Sequence, residues 1–277
     1  MPLSGDARTA IGYLAPGVTA GLVASAFSWM IIEPLIGAAV TYEGAREHAE
    51  YQLVGGADHD HGHELFTRAV QENVGSAVGI VGFGMAMGVL FAVAHNVVRR
   101  MLARHAYRPD GTGLALLVAA GMFTVIAVAP GLKYPANPPT VGLEDTIDAR
   151  SSAFLTMTAI SIVAAGAAVA FGLAWARRWG GWRACGVAVA AYTAVVLTAM
   201  VLLPSFHEVP ASIVGPDGRL LLDGFPAEVL GEFRVYSLVN QALMWLVIGA
   251  TWATLAARGS SARRRATAAD LKVLEAG

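Results

Sequence analysis

The sequence predicts an all-α integral membrane protein of six transmembrane helices with both termini in the cytoplasm, and three observations carry that prediction. Hydrophobic residues make up 56% of the 277 positions and charged ones 14%, whereas soluble domains carry roughly a quarter charged residues. The apolar residues gather into runs of about 20, the length that crosses a hydrocarbon core of about 30 Å at 1.5 Å per residue. Basic residues collect on one side of alternate runs, which sets the orientation.

The first span runs from Ala10 to Ile32 and is expected to stop at Glu33-Pro34. The second, Asn73 to Val98, stops at Arg99-Arg100, and the third, Leu114 to Leu132, is the shortest. The fourth, Ala153 to Ala176, ends at Arg177-Arg178; the fifth, Ala184 to Leu203, ends at Pro204; the sixth, Tyr236 to Ala257, ends at Arg258. Residues 1–257 then form a polytopic domain with outer loops at 33–72, 133–151 and 204–235, and 258–277 form a basic cytoplasmic tail. Gly79-x-x-Gly82 and Gly84-x-x-x-Gly88 read as sites of close helix approach, since lipid supplies no hydrophobic drive for helices to associate.

Thirteen of the 19 Lys and Arg fall at the N-terminus, after spans two and four, and in the tail, so the positive-inside rule puts these segments in the cytoplasm. Of the 20 acidic residues, 16 lie on the other face, which makes that face attractive to cations. The net charge of -1 hides this polarity. Arg263-Arg264-Arg265 reads as an anchor beside anionic lipid, and nothing points to nucleic acid. Cys185 is the only cysteine, so one chain can build no disulfide, iron-sulfur cluster or thiolate cage. The long first span carries no small-residue cleavage site and reads as a retained helix in a multi-pass protein of the cytoplasmic membrane.

Each outward helix meets a proline near the outer surface (Pro34, Pro130, Pro204), and each return is preceded by an arginine (Arg68, Arg150, Arg234). Three parallel two-helix repeats around a central axis would produce this pattern, as would the ordinary use of proline and arginine to end and anchor helices.

The first outer loop holds Asp58-His59-Asp60-His61-Gly62-His63-Glu64. Alternate histidines project from one side of an extended segment, and a helical turn would still bring His59 and His63 together, so either conformation offers at least two nitrogen ligands. Asp58, Asp60 and Glu64 add oxygen ligands and charge; a solvated polar loop is the competing reading. Glu33 closes the first span and His207-Glu208 follows the fifth, which makes them candidate ligands at a pore mouth or exposed interfacial residues. His48 lies in a polar stretch, Glu43 to Glu50, that reads as an amphipathic surface helix, and His95 reads as a helix-end residue facing the interface. Lys133 and Arg150 would repel a cation unless paired, and Glu144, Asp145 and Asp148 in the same loop are the expected partners.

The second outer loop reads Leu132-Lys133-Tyr134-Pro135-Ala136-Asn137-Pro138-Pro139, followed by Thr146-Ile147-x-x-Arg150, and the third contains Phe225-Pro226 and Phe233-Arg234. With the His-rich first loop, these runs resemble the cobalt-transporter subunit family called CbtA, over essentially the whole chain. The lysine-tyrosine-proline run is the specific part. The resemblance implies cobalt uptake for corrinoid synthesis, with a small single-span, His-bearing partner, and the family is commonly described with five spans against the six read here. Ligand type agrees with cobalt, nickel, zinc or copper(II) alike, so cobalt is what the resemblance implies.

No resident cofactor is expected beyond the transported or bound divalent ion. The chain has no Gly-x-x-x-x-Gly-Lys-Ser/Thr phosphate loop, Gly-x-Ser-x-Gly elbow or His-Glu-x-x-His, and no carboxylate in the middle of a span, so it reads as a transport subunit and not an enzyme. A membrane metal sensor, or a scaffold storing metal for a separate permease, is the alternative.

Overall fold

The computed structural model describes residues 5–54 and 75–275, with side chains placed over 12–53 and 75–259. The protein is all-α in its membrane portion, with six helices long and apolar enough to cross a bilayer. In chain order the elements are α1 (Gly5–Phe27), a π-helical segment (Ser28–Ile32), α2 (Glu33–Val54), α3 (Ser76–Arg104), α4 (Gly111–Met122), a second π segment (Phe123–Val128), α5 (Ala129–Lys133), a 3₁₀ turn (Glu144–Thr146), α6 (Ile147–Trp179), α7 (Gly181–Leu202), strands β1 (Ile213–Val214) and β2 (Leu220–Leu222), and α8 (Ala227–Glu275).

The helix of the first apolar run does not stop at Glu33-Pro34. It continues as helix to Val54, so Gly12–Leu53 forms one 42-residue element and the expected outer loop 33–72 is helical over its first 22 residues. A proline at 34 has no N–H for the carbonyl four residues back, and its ring crowds that carbonyl. The π segment resolves the conflict by widening one turn, with the Glu33 N–H bonding Ser28 O five residues behind it. The same device precedes Pro130, where the π segment Phe123–Val128 carries the helix into α5. In that register the missing Pro130 N–H would have bonded Val125 O. The fully buried Ser161 hydroxyl donates to that carbonyl instead, at 2.8 Å, and Tyr192 Oη lies 2.9 Å from Ser161 Oγ. Only Pro204 behaves as the sequence suggests: α7 ends at Leu202 and Leu203 is extended. Of the arginines expected before the return helices, Arg150 and Arg234 lie inside α6 and α8, and Arg68 falls outside the described residues.

The contacts divide the chain into two compact units. One holds residues up to Ala24, Val78–Phe123 and the chain from Ala242. In it α1 and α3 meet through glycines: a Cβ on Gly84 would sit 2.7 Å from Gly21 Cα, and one on Gly88 would sit 2.6 Å from Gly17 Cα. Gly79 and Gly82 face open space, so only the Gly84/Gly88 pair matches the sequence reading, and its counterpart is Gly17-x-x-x-Gly21. His95 is 5% exposed among Phe91, Trp252 and the Tyr13–Trp252 pair, which corrects the expectation of an interfacial histidine. Its helical phase directs it into the unit although Arg99 is one turn away.

The other unit holds Ser25–Ala77 and Thr124–Gln241. Its α6 and α7 form a tight hairpin turned at Gly180, whose φ of +82° favours glycine. Ala129, Met157, Val196 and Ala199 form one of its apolar clusters. The two short strands pair antiparallel around Gly215–Gly218, a hairpin inside what the sequence presents as a loop.

Candidate functional site

The family-motif residues lie in the second unit, where they lace the segment 134–150 to the segment 203–226. Lys133, at the end of α5, donates from Nζ to Ser205 Oγ at 2.6 Å. Tyr134 donates from its hydroxyl to Pro204 O at 2.7 Å and sets its ring 6.1 Å from that of Phe206. Partial burial pushes the Tyr134 phenol up from its ordinary value, so it stays a donor at neutral pH. Pro135, Asn137, Pro138 and Pro139 then run without regular structure, as the fixed φ and missing donors of the three prolines require. Pro138 is buried, and Asn137 Oδ1 accepts a 2.8 Å hydrogen bond from Arg234 Nη2.

Glu208 is the centre of the lacing. Its Oε2 accepts from the Leu143 N–H at 2.9 Å and from Thr146 Oγ1 at 2.8 Å, and lies 3.4 Å from Arg150 Nε. Its backbone carbonyl accepts from the Gly142 N–H at 3.2 Å. Arg150 also donates from Nε to Thr146 Oγ1 and from Nη2 to Leu143 O. The Leu143 N–H first, then Thr146 and Arg150, hold the Glu208 carboxyl below its ordinary value against the opposing effect of desolvation. Gly142 has φ +121°, and a Cβ there would collide with the Arg150 guanidinium, so that turn admits only glycine.

Arg150 is thus a pin, as the sequence suggests, but its carboxylate partner is Glu208 of the following loop; the side chains of Glu144, Asp145 and Asp148 in its own loop are exposed. Lys133 is held by a neutral hydroxyl.

Helix α2 carries the chain toward the histidine cluster and is docked on the same platform. Ala39, Tyr42 and Ala49 form a buried stripe at helical spacing. Tyr42 stands edge-on to Phe225 with ring centroids 5.0 Å apart and donates to Asp223 O at 3.1 Å; Val141 and Leu230 complete the cluster. Arg46 Nη1 reaches Ala211 O at 3.4 Å. The polar stretch Glu43 to Glu50 is therefore helical with one face packed on protein, and His48 is exposed on it. Sequence reasoning missed the docking, although the Ala39-Tyr42-Ala49 stripe signals it.

His59, His61, His63, Asp58, Asp60 and Glu64 lie outside the described residues. Glu33 is half-buried and His207 is exposed. Among the described residues no three His, Cys, Asp or Glu side chains gather into a group able to hold a metal ion, so Glu33 and His207-Glu208 do not form one ligand set.

The family of the probable cobalt transporter subunit (CbtA) matches residues 9–257 of the 277. The chain belongs to the CbtA family. No curated protein and no solved structure matches it. The CbtA match takes in five of the six apolar helices whole, the sixth to within two residues of its end, and every residue of the laced platform, so a multi-pass membrane subunit of cobalt transport is what sequence, fold and family jointly describe.

Proposed function

We propose that this CbtA-family chain admits divalent cobalt across the cytoplasmic membrane, with His59, His61 and His63 capturing the ion on the outer face and Asp58, Asp60 and Glu64 supplying charge beside them. The observation that carries the reading is the family match over 9–257, which takes in the histidine cluster and the laced platform together. Neutral imidazoles displace water from the ion, and the excess of carboxylates outside raises its local concentration. The platform holds α2, the last described element before the histidine cluster in sequence, against the third outer loop. Glu33 and His207 are the next donors, acting singly at the rim, while Glu208 is committed to Arg150 and the Leu143–Thr146 turn.

Both termini are cytoplasmic in this reading, and a small single-span, His-bearing subunit is the expected partner. Cobalt passes on to corrinoid synthesis. The apolar runs 10–32, 73–98, 114–132, 153–176, 184–203 and 236–257 contain no carboxylate for proton coupling, and the membrane potential supplies about 4.6 kcal/mol per 100 mV for a divalent ion.

Calorimetric titration of the purified protein with cobalt tests the capture step. Wild type binds at neutral pH, and the combined His59→Ala, His61→Ala, His63→Ala variant binds at least about tenfold more weakly, with smaller losses for single changes because neighbouring imidazoles substitute. Unchanged affinity in the triple variant would reassign the segment as a linker.

A further inference from the structure

We propose that the cavity beside His95 binds a phosphate-bearing ligand, a role separate from metal capture. The cavity has a volume of about 540 Å³ and is lined by Tyr13, His95, Arg99, Arg108 and Trp252, all within the first unit. His95 is 95% buried by area, and neither ring nitrogen has a hydrogen-bond partner among the described residues. A buried imidazole without partners costs free energy that a bound polar group would recover. Its ring is held in place by stacking on Phe91 at 5.9 Å and by Trp252 at 5.2 Å, so it is a fixed donor and acceptor at the cavity wall.

The charge of the wall selects the ligand. Arg99 lies one helical turn beyond His95, and Arg108 follows the end of α3. Among the described residues neither is ion-paired and no acidic side chain lines the cavity. The nearest carboxylate in sequence, Asp110, accepts from the Gly113 N–H at 2.8 Å as the cap of α4. Two unpaired guanidiniums beside one histidine repel a metal cation and match the oxygen geometry of a phosphate, with the imidazole N–H as a third donor. Leu114 and Leu255 give the cavity an apolar side along which an acyl chain could lie. Headgroup phosphate of an anionic lipid and free inorganic phosphate share this chemistry.

The test uses the full-length protein in neutral detergent and native mass spectrometry with three probes: dioleoyl phosphatidic acid, diacylglycerol of the same chains, and inorganic phosphate. Wild type retains phosphatidic acid and not diacylglycerol. His95→Phe keeps the ring packing and removes the nitrogens, and it should lower retention about tenfold; Arg99→Gln with Arg108→Gln should lower it further. Retention of inorganic phosphate as well would identify a free oxyanion as sufficient, and retention of phosphatidic acid alone would identify the lipid headgroup; both outcomes support the site. Equal retention of diacylglycerol, wild-type retention by both variants, or no phosphate ligand on wild type would overturn it.

Discussion

Replacing Tyr42 tests whether α2 is held on the outer platform as the contacts indicate. The ring is 8% exposed, stands 5.0 Å from Phe225 at an interplanar angle of 70°, and its hydroxyl bonds Asp223 O. Truncating a buried aromatic side chain to alanine costs about 3 to 5 kcal/mol. Tyr42→Phe keeps the ring and loses only the hydrogen bond, a change of about 1 kcal/mol, because Asp223 is exposed and water can replace the donor. If opening of the platform requires this ring to undock, amides of 210–226, including the Phe225 N–H bonded to Pro210 O, exchange with solvent more than about a hundredfold faster in Tyr42→Ala. In Tyr42→Phe the acceleration is about fivefold. Hydrogen–deuterium exchange on peptides covering 37–54 and 210–226 reads both. Rates in the alanine variant within about twofold of wild type in both peptides would refute the docking.

Four further outcomes are expected. Gly84→Val places a side chain where a Cβ already lies 2.7 Å from Gly21 Cα, well inside the ordinary contact of about 3.5 to 4.0 Å, and destabilises the protein by about 1 to 3 kcal/mol. Gly82→Ala, facing open space, leaves the thermal midpoint unchanged. Cobalt binding falls away as pH drops through about 6.5, where imidazoles protonate. The Glu208 contribution persists there, because a carboxyl with a lowered folded-state pKa stabilises the fold above its unfolded value and loses that effect only as pH falls through the lowered one. Thermal midpoints of wild type and Glu208→Gln should therefore differ at pH 7 and at pH 5 alike and converge only in stronger acid. Finally, single cysteines at Gly56, Asn137 and Gly218, in a Cys185→Ser background, are labelled by a membrane-impermeant thiol reagent from outside the cell; exclusion of the Asn137 position would contradict the orientation.

The six spans are legible in the sequence because a 20-residue apolar run has few alternatives to crossing a bilayer. Their ends are less legible. Pro34 and Pro130 look like stops, and whether a helix stops or widens into a π turn depends on partners such as Ser161, which is 36 residues away from the carbonyl it satisfies. His95 misleads for a related reason: nearness to Arg99 suggests the interface, while helical phase and Trp252 decide its burial. Glu208 is visible as a candidate, but its role depends on Leu143, Thr146 and Arg150, more than 50 residues earlier. The β1–β2 hairpin is signalled by Gly215-Pro216-Asp217-Gly218 between apolar residues, yet strands of two and three residues leave almost no periodicity to detect.

Uptake of cobalt into proteoliposomes, measured across a range of metal concentrations, tests the transport claim most directly. Wild-type protein should accumulate the ion in the lumen under an inside-negative potential. The His59, His61, His63 triple alanine variant should need more cobalt to reach the same maximal rate, because a surface trap alters apparent affinity, whereas Glu33→Ala or His207→Ala, at donors proposed for the path itself, should lower the maximal rate. Binding of cobalt to the vesicles without lumenal accumulation, in the presence of any required partner subunit, would contradict the account and leave a metal sensor or storage scaffold in its place.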